Sequence, residues 1–246
     1  MLKNIDHIFV ICHKDREVNK YNKWIEWMKF NNVPASYVTF YCYKWSDELT
    51  KEDIDNIHLD DGSLVRLFPF RAKFPLKLSE MSLSINFLNI FKEGIEKKYN
   101  NVLVFESDAI LHPSFIKEFN MRMIELSSSY SNWHMLSIGC GMNKHINPIK
   151  KNKHIYLHKE VRCLDSFVIS LNGMKKITEL LKKVSLPIDE HIDMLVKQNK
   201  VIMLWLEPTL VVQGSQTGIN PTTIRYSDSI YVRDTDCEWL KDVKFK

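Results

Sequence analysis

Glu106, Ser107 and Asp108 follow the apolar run Val102-Leu103-Val104-Phe105, and this stretch has the residue types and spacing best suited to chemistry. Four apolar residues in a row read as a strand buried on both faces. Near the end of a strand, alternate side chains lie on one side, so Glu106 and Asp108 are placed to face a single ion. Hard divalent cations such as Mn²⁺ or Mg²⁺ take a few oxygen ligands and keep open positions for phosphate. The plainer alternative is a strand that meets solvent and turns polar, with Asp108 capping the next turn. Short acidic motifs are common, so for the tripeptide alone the plainer alternative is the favoured one, and its context changes that weighting.

A second cluster lies upstream. Arg66, Arg71, Lys73 and Lys77 alternate with Leu67, Phe68, Phe70 and Phe74. A basic, aromatic loop before a helix suits a diphosphate and a stacked base. Long cationic side chains lying over apolar surface at an edge account for any single residue there equally simply. Gly139 and Gly141 flank Cys140, where the missing side chains permit positive φ or a close approach of backbone to ligand.

The elements that must position these groups alternate. Residues 5–12 read as a first strand, 19–30 as a helix with a stripe through Tyr21, Trp24, Ile25 and Met28, and 36–43 as a second strand. Strand, helix and strand at this spacing make a βαβ unit with a parallel pair. Residues 46–75 are the least regular, with a short helix over 51–57. The longest helical pattern, 78–99, carries Met81, Ile85, Leu88, Phe91 and Ile95 on one face, with Ser79 as its N-cap. The acidic strand follows at once, and Pro113 opens a helix to about Leu126. Residues 133–138 form a strand, 144–153 a basic loop, 155–158 a short strand and 165–170 a clearer one. Helices over 171–183 and from 187 to about 200 precede a last strand at 201–206 and a polar tail. The expectation is one α/β domain over residues 1–246, with a mostly parallel, Rossmann-like central sheet and helices on both faces.

Composition narrows the functional classes. A length of 246 residues supports a substantial core, and a net charge of +4 without a long basic block does not suggest nucleic-acid binding. Five scattered cysteines (Cys12, Cys42, Cys140, Cys163, Cys237) show no C-x-x-C pair, which fits reduced thiols in a cytoplasmic setting better than a disulfide framework. No signal peptide or membrane span is expected, since the apolar run at 8–12 is too short for either.

The order of motifs resembles the family 25 type of glycosyltransferase, the lipooligosaccharide and collagen galactosyltransferase group with a GT-A fold. The acidic tripeptide resembles the D-x-D-type element of nucleotide-sugar enzymes. The first strand with Asp15-Arg16 resembles the family's opening strand and D-R turn. Leu78-Ser79-Glu80-Met81-Ser82 resembles its helix start, the strand at 102–111 its E-D-D element, and Trp133 to Gly139 its W-d-hydrophobic-G strand. The segment from Asp165 to Met174, with Leu186-Pro187-Ile188-Asp189-Glu190, resembles its strand, helix and P-V-D-E block. Three positions depart from the pattern. Ser107 stands at the middle aspartate, Asn86-Phe87 replaces a Ser-His pair, and no histidine follows His191, so Gln213, Asp228 or water would complete a metal site.

The resemblance implies a metal-dependent transferase that moves a sugar from a nucleotide-sugar donor, in the first place a UDP-sugar, to a glycan or glycoprotein hydroxyl with inversion. Glu106 and Asp108 would hold Mn²⁺ or Mg²⁺, a Lewis acid for the leaving diphosphate. Arg16, Glu80, Glu106 and Asp108 would bind donor and Asp165 acceptor. Asp189 or Glu190 would take the proton of the acceptor hydroxyl, with N-capping as the plainer role for Asp189. His112 and His191 read as satisfied surface histidines, and an aspartate restored at position 107 is expected to keep or strengthen metal binding. Two other classes stand beside this one. A different Mg²⁺-dependent phosphate-handling α/β enzyme would need an aspartyl nucleophile after the first strand, where His13 and Lys14 stand. A non-catalytic nucleotide- or glycan-binding descendant is favoured by Ser107 and the missing late histidine.

Overall fold

The computed structural model describes residues 1–59, 76–139, 149–157 and 164–215. The segment with Arg66, Arg71, Lys73 and Phe74, the positions Cys140, Gly141, His158, Cys163, Asp228 and Cys237, most of the basic loop and the tail from 216 lie outside the described residues. The first half contains β1 (His7–Ile11), α1 (Val18–Phe30), β2 (Val38–Tyr41), α2 (Lys51–Ile57), α3 (Leu78–Glu96), β3 (Asn101–Glu106) and β4 (Ala109–Leu111). Then come α4 (Phe115–Ser129), β5 (Met135–Ser137), β6 (Ile149–Lys150), β7 (Ile155–Leu157) and β8 (Ser166–Ser170). The chain continues with α5 (Leu171–Leu180), α6 (Ile188–Lys197), β9 (Met203–Leu206) and β10 (Val211–Gln213).

The fold is α/β, as the alternating pattern predicts. One sheet has the order β2-β1-β3-β8-β5-β9-β7-β6, and a separate antiparallel pair joins β10 to β4. β2, β1 and β3 run parallel, as do β5 and β9, while β8 lies between the two groups antiparallel to both. β3 thus sits centrally, between β1 and β8.

Register explains why the strands read as continuous apolar runs. Ile8, Leu103, Val168, Leu136 and Leu204 are partners across five strands and form one row. Side chains of that row pack with Trp24 and Met28 of α1 and Phe115, Phe119 and Met123 of α4. The neighbouring row, Phe9, Val104 and Phe167, points the other way into a second core with α3, α5 and α6. Both faces are dry, so alternation between polar and apolar residues is lost. Each fully buried Leu or Phe adds roughly 1.5–3 kcal/mol.

Gly94 lets α3 and α5 approach closely, since a Cβ there would lie 2.4 Å from Met174 Sδ. The N-cap of α3 is Lys77 rather than Ser79, and its backbone N–H donates to the Glu80 carboxylate at 2.9 Å. The helix opened by Pro113 begins at Phe115, after a turn in which the Ser114 N–H donates to His112 Nδ1 at 3.0 Å. Residues 209–215, read from sequence as the start of a polar tail, include the strand β10. Among the described residues, no helix is long and apolar enough to cross a membrane.

Candidate functional site

Strand direction assembles the site. Because β8 runs against β3, its first residues lie beside the carboxyl end of β3. Phe105 pairs with Ser166, and the Glu106 N–H donates to the Asp165 carbonyl at 2.8 Å. Asp165, distant in the chain, is thereby brought beside Glu106. The Glu106 residue keeps some exposed surface, but its carboxyl is enclosed. Burial pushes it well above the usual carboxylate range, and the charges of Asp108, Asp165 and Asp189 push the same way. The Gln213 amide opposes this by donating to Glu106 Oε2 at 3.1 Å.

Asp108 is buried, at 5% exposure. Its Oδ2 accepts the Ser215 N–H at 3.0 Å and its carbonyl accepts the Gly214 N–H at 2.9 Å. The β10 end therefore orients Asp108, while β4 pairs with β10 just beyond it. Asp165 is fully buried, with the Ser166 hydroxyl donating to its Oδ2 at 3.1 Å. Room for it comes from Gly139, where a Cβ would stand 2.1 Å from Asp165 Oδ2 and 2.2 Å from Ser166 Oγ. Asp165 thus acts on Glu106 from behind, through its charge and its carbonyl.

Asp189 and Glu190 lie in the first turn of α6, both partly exposed. Pro187 is the N-cap, so Asp189 is not a capping residue. The charge of Asp189 acts on Glu106 and helps push its carboxyl upward, after burial, Asp108 and Asp165. Glu190 is one residue further, turned about 100° round the helix. His191 is buried rather than at the surface, and the Ser185 hydroxyl lies 3.1 Å from its Nε2.

Ser107 has a role that the sequence did not disclose. Its hydroxyl donates to Glu17 Oε1 at 2.7 Å, and Lys20 Nζ bridges Glu17 at 2.7 Å and Ser107 Oγ at 3.2 Å. The Trp24 indole N–H donates to the Ser107 carbonyl at 3.0 Å, and the His13 N–H to Glu17 Oε2 at 3.0 Å. The acidic turn is therefore clamped to α1. Burial opposes ionisation of Glu17, yet Lys20, Ser107 and the His13 N–H outweigh it and hold the carboxyl below its ordinary value. The i,i+3 spacing of Glu17 and Lys20 was visible in the sequence, but their link to Ser107 spans most of a hundred residues.

A cavity of about 260 Å³ opens beside the turn, lined by Ile11, Cys12, His13, Glu17, Cys42, Trp45, Asn86, Glu106 and Ser107 among others. Asn86 spends its side chain internally, accepting the Tyr43 N–H at 2.7 Å and donating to the Ser82 carbonyl at 2.9 Å. Cys12 and Cys42 are free thiols, and burial pushes them up to about 12 and about 11. Arg16 is not among the lining residues. It pairs with Asp47 at 2.6 Å and Glu48 at 3.0 Å and lies 5.8 Å from the Trp45 ring centroid. Glu80 serves the start of α3, as described above.

Among the described residues, no group of three or more His, Cys, Asp or Glu side chains converges to hold a metal ion. A magnesium-like ion needs only one or two carboxylates when phosphate and water complete its sphere. Glu106 and Asp108 are the two carboxyl groups that stand either side of Ser107 at this strand end, and burial first, then the neighbouring negative charges, disfavour ionisation of Glu106. No protein-family model matches the chain, and no curated protein matches it either.

Proposed function

We propose that the chain is a metal-dependent, inverting glycosyltransferase of the family 25 type, acting on a nucleotide-sugar donor and a glycan or glycoprotein hydroxyl in a cytosol-like compartment. The observation that carries this reading is the pair Glu106 and Asp108 at the carboxyl end of the central strand, with Asp165 beside it on β8 and the charge of Asp189 also acting on Glu106. A carboxyl that burial and neighbouring negative charges hold in its neutral form is one that a bound cation would return to the ionised, ligating form. Open sheets bind their ligands at this end of the strands.

When bound, Mn²⁺ or Mg²⁺ would act as a Lewis acid on the leaving diphosphate, held by Asp108 and Glu106. Asp108 enters already oriented by the Ser215 N–H, so little reorganisation is needed. Gln213 fixes one oxygen of Glu106 and leaves the other to the ligand side. The cavity wall beside Glu106, with Trp45 and His13, would receive the nucleoside part of the donor. Asp189, in the first turn of α6, would take the proton of the acceptor hydroxyl as the glycosidic bond forms.

A binding-only descendant is the second reading, favoured by the absence of a three-ligand metal group among the described residues. One experiment separates the two. Thermal shift with Mn²⁺ and a panel of nucleotide sugars should show donor stabilisation that requires metal, and product formation should accompany it. Asp189→Asn should bind donor and metal like the parent and lose roughly two to four orders of magnitude in transfer rate. Metal-coupled binding without any transfer in the parent selects the binding-only reading. No nucleotide-sugar binding at all removes the transferase and the nucleotide-binding descendant, and leaves only a glycan-binding one.

A further inference from the structure

A second cavity, of about 460 Å³, lies at the opposite end of the sheet from Glu106. It is bounded by the entry to β1 and β3, the end of β8, the start of α5 and the turn after α4. Its volume falls within the roughly 300–1,000 Å³ of small-molecule sites. Met123 and Leu126 give it an apolar floor, and Tyr130 and Trp133, both half-buried, give it flat aromatic surface. The rim is hydrogen-bonding and largely unspent. The side-chain amides of Asn100 and Asn172, the Tyr130 hydroxyl and the Trp133 indole N–H make no hydrogen bond within the protein. Asp6 is oriented by the Asn100 N–H at 2.5 Å and the Asn101 N–H at 3.2 Å, both to Oδ2, which leaves Oδ1 available. Among the described residues that line the cavity there is no Lys or Arg.

We propose that this cavity binds the pyranose unit of a neutral saccharide. A pyranose presents apolar C–H faces and an edge of hydroxyls, each both donor and acceptor. The aromatic pair matches the faces, and amides that each offer a donor and an acceptor match the edge. The lack of a cationic side chain disfavours a phosphorylated or carboxylated ligand, while Asp6 adds an acceptor for a hydroxyl. This site is separate from the acidic cleft and does not rest on the transferase reading.

The test uses the full chain, with methyl galactoside, methyl glucoside and lactose as probes in saturation-transfer NMR and calorimetry. At least one probe should bind. Asn100→Ala and Asn172→Ala, both at exposed positions, should each weaken it about tenfold, one hydrogen bond's worth. Trp133→Ala should abolish it. Asp108→Asn should leave it unchanged, so that loss of this site and loss of the cleft are read separately. Binding by none of the three probes overturns the proposal. So does equal binding by parent and both asparagine variants, or loss of binding in Asp108→Asn.

Discussion

At the scale of single residues, position 107 shows how a local departure can be part of a different arrangement. A serine between two acids reads from sequence as a lost ligand. In the fold its hydroxyl donates to Glu17, the N-cap of α1, and accepts from Lys20 on that helix. An aspartate restored there would bring a second carboxylate against a Glu17 whose side chain is only 12% exposed. Ser107→Asp is therefore expected to cost about 1.5–3 kcal/mol, the value of a hydrogen bond to a charged group, read from urea denaturation midpoints. Adding Glu17→Gln should recover part of that loss, because the amide can donate to the new carboxylate. Equal stability of Ser107→Asp and parent would show that the clamp does not matter. Asp108 calls for similar care. Alanine there would strand the Ser215 N–H, whereas Asp108→Asn keeps an acceptor and tests the charge alone.

At the scale of elements, periodicity and composition were enough to find most strands and helices, because long apolar runs and stripes are local signals. The central place of β3 followed from its four consecutive apolar residues. What the sequence could not carry was direction. Asp165 was recognisable as an acidic residue opening a strand, but only the antiparallel run of β8 brings it beside Glu106. The pair β4–β10 also escaped, since three-residue strands are too short to show a period. Gly139 was visible as a point of close approach, with the approaching group unknown. That group is the Asp165–Ser166 step, and it yields a prediction at this scale. Gly139→Ala places a methyl group where Asp165 Oδ2 and Ser166 Oγ now stand. Overpacking of this kind costs typically about 1–3 kcal/mol. The variant should lower the denaturation midpoint and disturb Glu106 through the Asp165 carbonyl, seen as weakened metal-coupled donor binding. A Gly139→Ala protein with parental stability and binding would mean that β8 shifts freely, against the tight register described here.

At the scale of the whole molecule, histidines tie elements together through unprotonated nitrogens. His134 precedes β5, and its Nδ1 accepts the Ile202 N–H at 2.8 Å, at the entry to β9. His112 holds the turn into α4 in the same way through the Ser114 N–H. His7 in β1 is buried and stacks on Tyr99 beyond α3. Burial lowers all three below their ordinary value of 6.5, with Lys97 adding to it at His7, Arg122 at His112 and Lys176 at His134. A lowered histidine binds fewer protons in the folded than in the unfolded chain, so its contribution is present above 6.5 and is lost as pH falls through the folded value. The melting temperature should therefore drop as pH falls through and below 6.5, before the carboxyls of Glu17, Glu118 and Glu125, also lowered, begin to protonate. Protonation of His134 or His112 at Nδ1 would set two donors against each other, which is why the effect is structural. His134→Asn puts an amide oxygen where Nδ1 accepts, without a titrating group. It should fold, keep the Ile202 contact and flatten part of the pH dependence of the melting temperature, measured in metal-free buffer. An Asn variant with the full parental slope would assign that slope to other groups and leave His134 as a packing residue alone.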